Sequence, residues 1–105
     1  MNDRELLEMA ARVAGIAGIT RDGGIELSKD HAKPPYDWRM WNPLSDDGDA
    51  LRLAVALRMD IRIYGTDVRV FCCGVTVLEG PPDFCAATRR AIVRAAAEIG
   101  REMKE

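Results

Sequence analysis

Apolar residues recur at helical spacing through Leu6, Met9, Ala10 and Val13, which predicts an amphipathic first helix. Asn2, with Glu5 three residues on, supplies a capping box with Asn in the Ser or Thr position. Gly15 and Gly18 end the helix near Ala14. Residues 16–24 carry no single period. Ile16 and Ile19 fit a short strand, and Asp22-Gly23-Gly24 is a turn signal. Ile25-Glu26-Leu27-Ser28 reads as a short strand. Residues 29–35 form a polar loop, and Pro34 and Pro35 favour extended chain there. Tyr36–Trp41 alternates in part and reads as another strand.

Pro43 stops that segment, and Ser45, Asp46 or Asp47 caps the next helix. From Ala50 to Leu57 only Arg52 is charged. A helix apolar on nearly every side is expected to be buried, between a sheet and another helix. Asp60–Tyr64 and Asp67–Phe71 alternate around a Gly65-Thr66 turn, and Gly74 precedes Val75–Leu78, which predicts a three-stranded meander. Asp83 caps a last helix from Phe84 to Met103. A 100° wheel puts Cys85, Thr88, Ile92, Ala96, Ile99 and Met103 on its apolar face and Arg90, Arg94 and Arg101 opposite. Arg94–Glu98 and Arg101–Glu105 stand at ion-pair spacing. The expected class is α+β, in one domain over residues 1–105: a single mixed or antiparallel sheet packed with three helices, in the order α-ββ-α-βββ-α.

Composition narrows the function classes. The chain has 105 residues, 48% hydrophobic and 30% charged, with 15 basic and 17 acidic side chains. Such a balance fits a globular domain and lacks the basic excess of a nucleic-acid binder, so no sequence-specific nucleic-acid partner is expected. No apolar run reaches the roughly 20 residues of a membrane span, and the charged start Asn2-Asp3-Arg4-Glu5 does not read as a signal peptide. Three cysteines, two of them adjacent, make a poor disulfide framework and fit a reduced cytoplasm.

Candidate chemistry is sparse. Asp46, Asp47 and Asp49 offer oxygen ligands to a hard cation, but three carboxylates at a helix start equally serve capping and the helix dipole, and that role outweighs metal binding. Asn42 and Trp41 orient the turn or touch a ligand. Tyr36, Trp38 and Trp41 form the aromatic cluster best suited to a contact surface, able to stack a base or anchor a protein interface. Arg89, Arg90, Arg94 and Arg101 form the densest basic set, which Glu98, Glu102 and Glu105 dilute to a solvated helix face by default; Arg52, Arg90 and Arg94 are the candidate anion contacts, since a guanidinium fork suits phosphate and carboxylate. His31, the only histidine, has no positioned partner in the pattern, so no catalytic residue is assigned. Cys72 and Cys73 are expected on opposite faces of a strand, and Cys85 as a buried inert thiol. No cofactor is expected.

Three segments carry a resemblance: Asn2-Asp3-Arg4-Glu5-Leu6-Leu7, Trp41-Asn42-Pro43-Leu44-Ser45-Asp46-Asp47-Gly48-Asp49-Ala50-Leu51-Arg52-Leu53-Ala54-Val55, and Ala86–Gly100. Together they resemble small proteins of tailed bacteriophages and prophages, the phage ABA-sandwich domain group, in which a sheet lies between helices. Residues 16–40 and 59–83 have no counterpart in the resemblance. It implies a phage accessory protein acting in the cytoplasm of a bacterial host. With the small size and the absence of a catalytic constellation, the expected function is non-enzymatic binding of a host protein, in the manner of an anti-defence inhibitor that blocks a protein surface. The alternatives are sequestration of a nucleotide signal and a structural or assembly component of the phage. An apolar edge strand and an Ala-rich last helix are compatible with a homodimer.

Overall fold

The computed structural model describes residues 2–16, 18–21, 24–27 and 40–102, with backbone alone at 19–21, 26 and 27. The elements run α1 (Asp3–Ala14), β1 (Gly18–Arg21), β2 (Gly24–Leu27), β3 (Met40–Trp41), α2 (Asp47–Ala56), β4 (Asp60–Ile63), β5 (Val68–Cys72), β6 (Val75–Glu79) and α3 (Phe84–Glu102). The α+β class, the three helices and the meander match the expectation. The segment of ambiguous period supplies an additional strand, β1. The strands divide between two antiparallel three-stranded sheets, β1-β2-β3 and β4-β5-β6, rather than one.

Local chemistry sets the helix ends. The Glu5 amide donates to the Asn2 side chain at 2.8 Å, and Glu5 returns a contact to the Asn2 amide, which completes the capping box. Gly15 closes α1 in the left-handed region at φ 71°, with the Ile16 amide reaching back to the Ala11 carbonyl. Asp46 caps α2, and Asp83 receives the Cys85 and Ala86 amides at the start of α3. Gly24 begins β2 at φ 126°, and a Cβ there would stand 2.5 Å from the Trp41 carbonyl oxygen, so only glycine lets β2 approach β3.

The helix that the fold is built around is α3, not α2. Ala87, Ala91, Ile92, Val93, Ala95, Ala96, Ala97 and Gly100 are all buried along it, on nearly every side. Its small side chains let α1, α2, β5 and β6 pack against it together. At Gly100 a Cβ would overlap the Met9 carbonyl oxygen, so α1 and α3 touch backbone to side-chain-free backbone. Val68, Val70, Cys72 and Val77 of the second sheet face this helix, and Leu6, Leu7, Ala10 and Ala11 meet it from α1.

Three expectations are corrected here. α2 buries one face only: Ala50, Leu53 and Ala54 are inside, while Leu51 and Val55 are 61% and 68% exposed, because α3 covers it from one side. The wheel face of α3 is rotated from the expected one, and Cys85 is exposed rather than buried. Arg94 pairs with Glu79 of β6 rather than with Glu98, and Glu98 pairs with Arg101 at 2.8 Å. For Arg94 a partner remote in sequence outcompetes the same-helix one, while Glu98 takes the i,i+3 arginine instead. Met103 and Glu105 lie outside the described residues.

Among the described residues the second sheet carries a helix on one face only. Its other face presents Asp60 and Arg62 from β4, Arg69 and Phe71 from β5, and Thr76 and Leu78 from β6 to solvent or near it. The sandwich of a sheet between helices, implied by the resemblance, is not formed around these strands by the described elements.

Candidate functional site

The turn entering α2 is a closed hydrogen-bond network centred on a buried carboxylate. Asp49 is 2% exposed. Its Oδ2 accepts the Asn42 backbone N–H at 3.0 Å, and its Oδ1 accepts Arg52 Nη2 at 2.8 Å. The Asn42 side-chain Oδ1 accepts the Leu44 amide at 3.0 Å, which fixes the residues around Pro43. The Asn42 carbonyl accepts the Ser45 and Asp46 amides at 3.1 and 2.8 Å. Asp46 Oδ2 accepts the Asp49 amide at 2.8 Å, the N-cap bond of α2. From α3, Arg89 reaches across: its Nε donates to the Leu44 carbonyl at 3.0 Å and its Nη1 to Asp47 Oδ1 at 2.6 Å. Trp41 and Pro43 are buried beneath this turn.

Each candidate residue of the turn therefore has a structural task. Trp41 is buried in the core and packs there. Asn42 and Asp49 shape the turn, and Arg52 lies over Asp49 with a longer approach to Asp46 at 3.9 Å. Asp46, Asp47 and Asp49 point to three different partners: a helix amide, Arg89, and the Asn42–Arg52 pair. No group of three or more His, Cys, Asp or Glu converges on a common point among the described residues. Tyr36, Trp38 and His31 lie outside the described residues.

Arg90 and Arg94 are likewise engaged within the fold. Arg90 bonds Asp3 of α1 at 2.9 Å and stands 3.9 Å from Glu79. Arg94 pairs with Glu79 and donates to the Leu78 carbonyl at 3.1 Å. These two guanidiniums tie α1, α3 and β6 together. They do not stand near the α2 turn as one anion site, because Arg52 and Arg89 serve that turn and Arg90 and Arg94 serve the sheet edge.

The cysteines differ from expectation. Cys73 sits in the two-residue turn between β5 and β6, at φ 52°, followed by Gly74 at φ 81°. Positive φ at both positions is what a two-residue hairpin turn requires. This swings Cys73 Sγ to 3.6 Å from Cys72 Sγ rather than to the opposite face. The Cys72 thiol is buried and lies 3.3 Å from the Leu57 carbonyl. Burial, with a smaller contribution from Cys73, pushes its pKa up to about 11, so it stays protonated and unreactive near neutrality.

The surface that sequence reasoning passed over is the open face of the second sheet. Arg62 and Arg69 are directly paired across β4 and β5. Arg62 lies over the Phe71 ring at 5.3 Å and Arg69 over the Tyr64 ring at 4.9 Å. Each arginine also bonds the aspartate two residues before it: Arg62 to Asp60 at 3.2 Å and Arg69 to Asp67 at 3.1 Å. These bonds, Asp60 and Asp67 being the main cause, hold both guanidiniums further above their ordinary pKa. Leu78 is half exposed beside Arg69. The signal was present as a repeated Asp-x-Arg, in Asp60-Ile61-Arg62 and Asp67-Val68-Arg69, each placing both residues on one strand face.

Comparison of the chain with family models, with curated proteins and with solved structures finds no match. No helix among the described residues is long and apolar enough to cross a membrane.

Proposed function

We propose that this chain is a non-enzymatic binding protein that covers a surface of another protein, using the open face of its second sheet. In the setting the resemblance implies, the partner is a host protein in the bacterial cytoplasm and the role is that of a phage anti-defence inhibitor. The observation that carries the reading is the pairing of the arginines. Arg52, Arg62, Arg69, Arg89, Arg90 and Arg94 each bond a carboxylate of the same chain. A site for a nucleotide needs positive charge in excess of its own carboxylates, and among the described residues these clusters have none, which favours the protein surface over the nucleotide signal. Arginine and aromatic side chains beside an exposed Leu78 are the residue types that anchor protein interfaces.

The test is affinity capture from bacterial lysate with the wild-type chain and with Phe71→Ser/Leu78→Ser, followed by native mass spectrometry of the eluate. The expected result is a protein retained by the wild type and lost by the double variant. Retention of a nucleotide in place of a protein supports sequestration instead. Presence of the chain in purified phage particles supports the assembly role.

A further inference from the structure

The second sheet has two edges, and they are treated differently. At β6 the Arg94 side chain caps the Leu78 carbonyl from α3. At β4 the only hydrogen-bonded neighbour among the described residues is β5, on the inner side. β4 carries no proline, lysine or bulge; what protects this edge is its shortness and the charges of Asp60 and Arg62, and those charges are complementary to each other. Ile63, at its end, is 65% exposed.

The backbone of β4 decides which groups that edge offers. The Tyr64 amide bonds the Asp67 carbonyl at 2.8 Å. Hydrogen-bonded and non-hydrogen-bonded pairs alternate along an antiparallel ladder. The register pairs Arg62 with Arg69 and Asp60 with Phe71, so Arg62 and Asp60 direct their backbone groups at β5. Ile61 and Ile63 direct theirs outward, to the open edge.

We propose that β4 pairs antiparallel with β4 of a second copy, about a two-fold axis through Ile61, to form a six-stranded sheet. In this register Ile61 exchanges backbone hydrogen bonds with Ile61 of the second copy, and the Ile63 amide donates to the Met59 carbonyl of the second copy, whose own amide already bonds the Ala54 carbonyl at 3.0 Å. Asp60 then stands opposite Arg62 of the second copy, twice, as non-hydrogen-bonded pairs, where side chains approach closest. The short Asp-x-Arg of this strand is therefore self-complementary. Moving the axis one residue, to Arg62, sets two arginines face to face. The chosen register also brings the exposed Ile63 onto Met59 of the second copy, on the same inner side as the core. An axis perpendicular to the sheet leaves both open faces on one side, which doubles the surface proposed above. The pairing stands on β4 alone and does not depend on that proposal.

Sedimentation velocity of the full chain over a micromolar-to-millimolar series tests it. The wild type should pass from monomer to dimer. Arg62→Asp converts both cross-strand pairs to like charges and should weaken the dimer by about tenfold or more. The exchange Asp60→Arg/Arg62→Asp restores opposite pairs and should restore dimerisation. Ile63→Pro removes an outward-facing amide that β5 does not use, so it should abolish the dimer with the circular dichroism of the fold retained. Should that variant unfold, the charge exchange alone decides. A wild type that stays monomeric throughout, a dimer indifferent to a folded Ile63→Pro, or a charge exchange without rescue each overturns the proposal.

Discussion

Replacing Asp49 tests whether the turn before α2 is a structural lock. In Asp49→Ala the Asn42 N–H loses its acceptor in a partly buried place, and a buried unsatisfied amide costs about 1–3 kcal/mol. Arg52 is 60% exposed, so its ion pair adds only about 0–1 kcal/mol. Loss of a negative charge from the first turn of α2 adds about 0.3–1 kcal/mol. The sum is about 1–5 kcal/mol, a large share of the roughly 5–15 kcal/mol that stabilises a domain. Asp49→Asn keeps one oxygen for the Asn42 amide but turns an NH2 donor towards Arg52, losing the charge and the Arg52 bond alone, so it should be milder than Asp49→Ala, about 1 kcal/mol. Urea unfolding with an unchanged slope reads the difference in the midpoint. The order Ala, then Asn, then wild type is expected, with Arg52→Ala close to wild type. An Asp49→Ala midpoint within about 0.5 kcal/mol of wild type refutes the reasoning, because surface substitutions behave that way.

Other perturbations read other parts of the fold. Gly100→Ala drives a Cβ into the Met9 carbonyl, and the expected loss of about 1–3 kcal/mol exceeds the helix-propensity gain of about 1 kcal/mol, which thermal unfolding shows as a drop of several degrees. Cys73 and Cys85 should react with a thiol reagent at neutral pH in the native state while Cys72 reacts only on unfolding, as mass spectrometry of the labelled peptides shows. Because the folded Cys72 pKa is raised, its contribution to stability is present below about pH 9 and is lost as pH rises through about 11; Cys72→Ala should flatten that part of the stability profile. Cys73→Asn places a residue better suited to positive φ in the hairpin turn and should stabilise the protein by about 0.5–1 kcal/mol in denaturant unfolding.

Local rules were legible. Asn2 and Glu5, Asp46, Asp83, Gly15 and the turn at Gly65-Thr66 act within a few residues of themselves, and each did what its position indicated. What the sequence hid was the choice of central helix. α2 is the more continuously apolar, yet α3 is the more deeply buried, because alanine and Gly100 admit four neighbouring elements where leucine and valine on α2 meet one helix. The arginines of α3 read as a solvated face, but Arg89, Arg90 and Arg94 find their partners in Asp47, Asp3 and Glu79, 42, 87 and 15 residues away. No periodicity reports such pairs. The motif Trp41–Asp49, conspicuous as a candidate site, is conspicuous because a buried carboxylate, a proline and a cap must coincide to turn the chain. The open sheet face was visible as two Asp-x-Arg repeats, but that no helix among the described residues covers it is a tertiary fact.

The proposal places binding on that open face, while the recognisable turn and the arginines of α3 hold the fold. Its most direct test is quantitative capture of the retained partner by three folded variants beside the wild type. Phe71→Ser/Leu78→Ser should lose the partner, whereas Arg52→Ala and Asp47→Ala should retain it fully. Loss of the partner in Arg52→Ala or Asp47→Ala, with retention in the sheet-face variant, contradicts the claim and returns the site to the turn before α2.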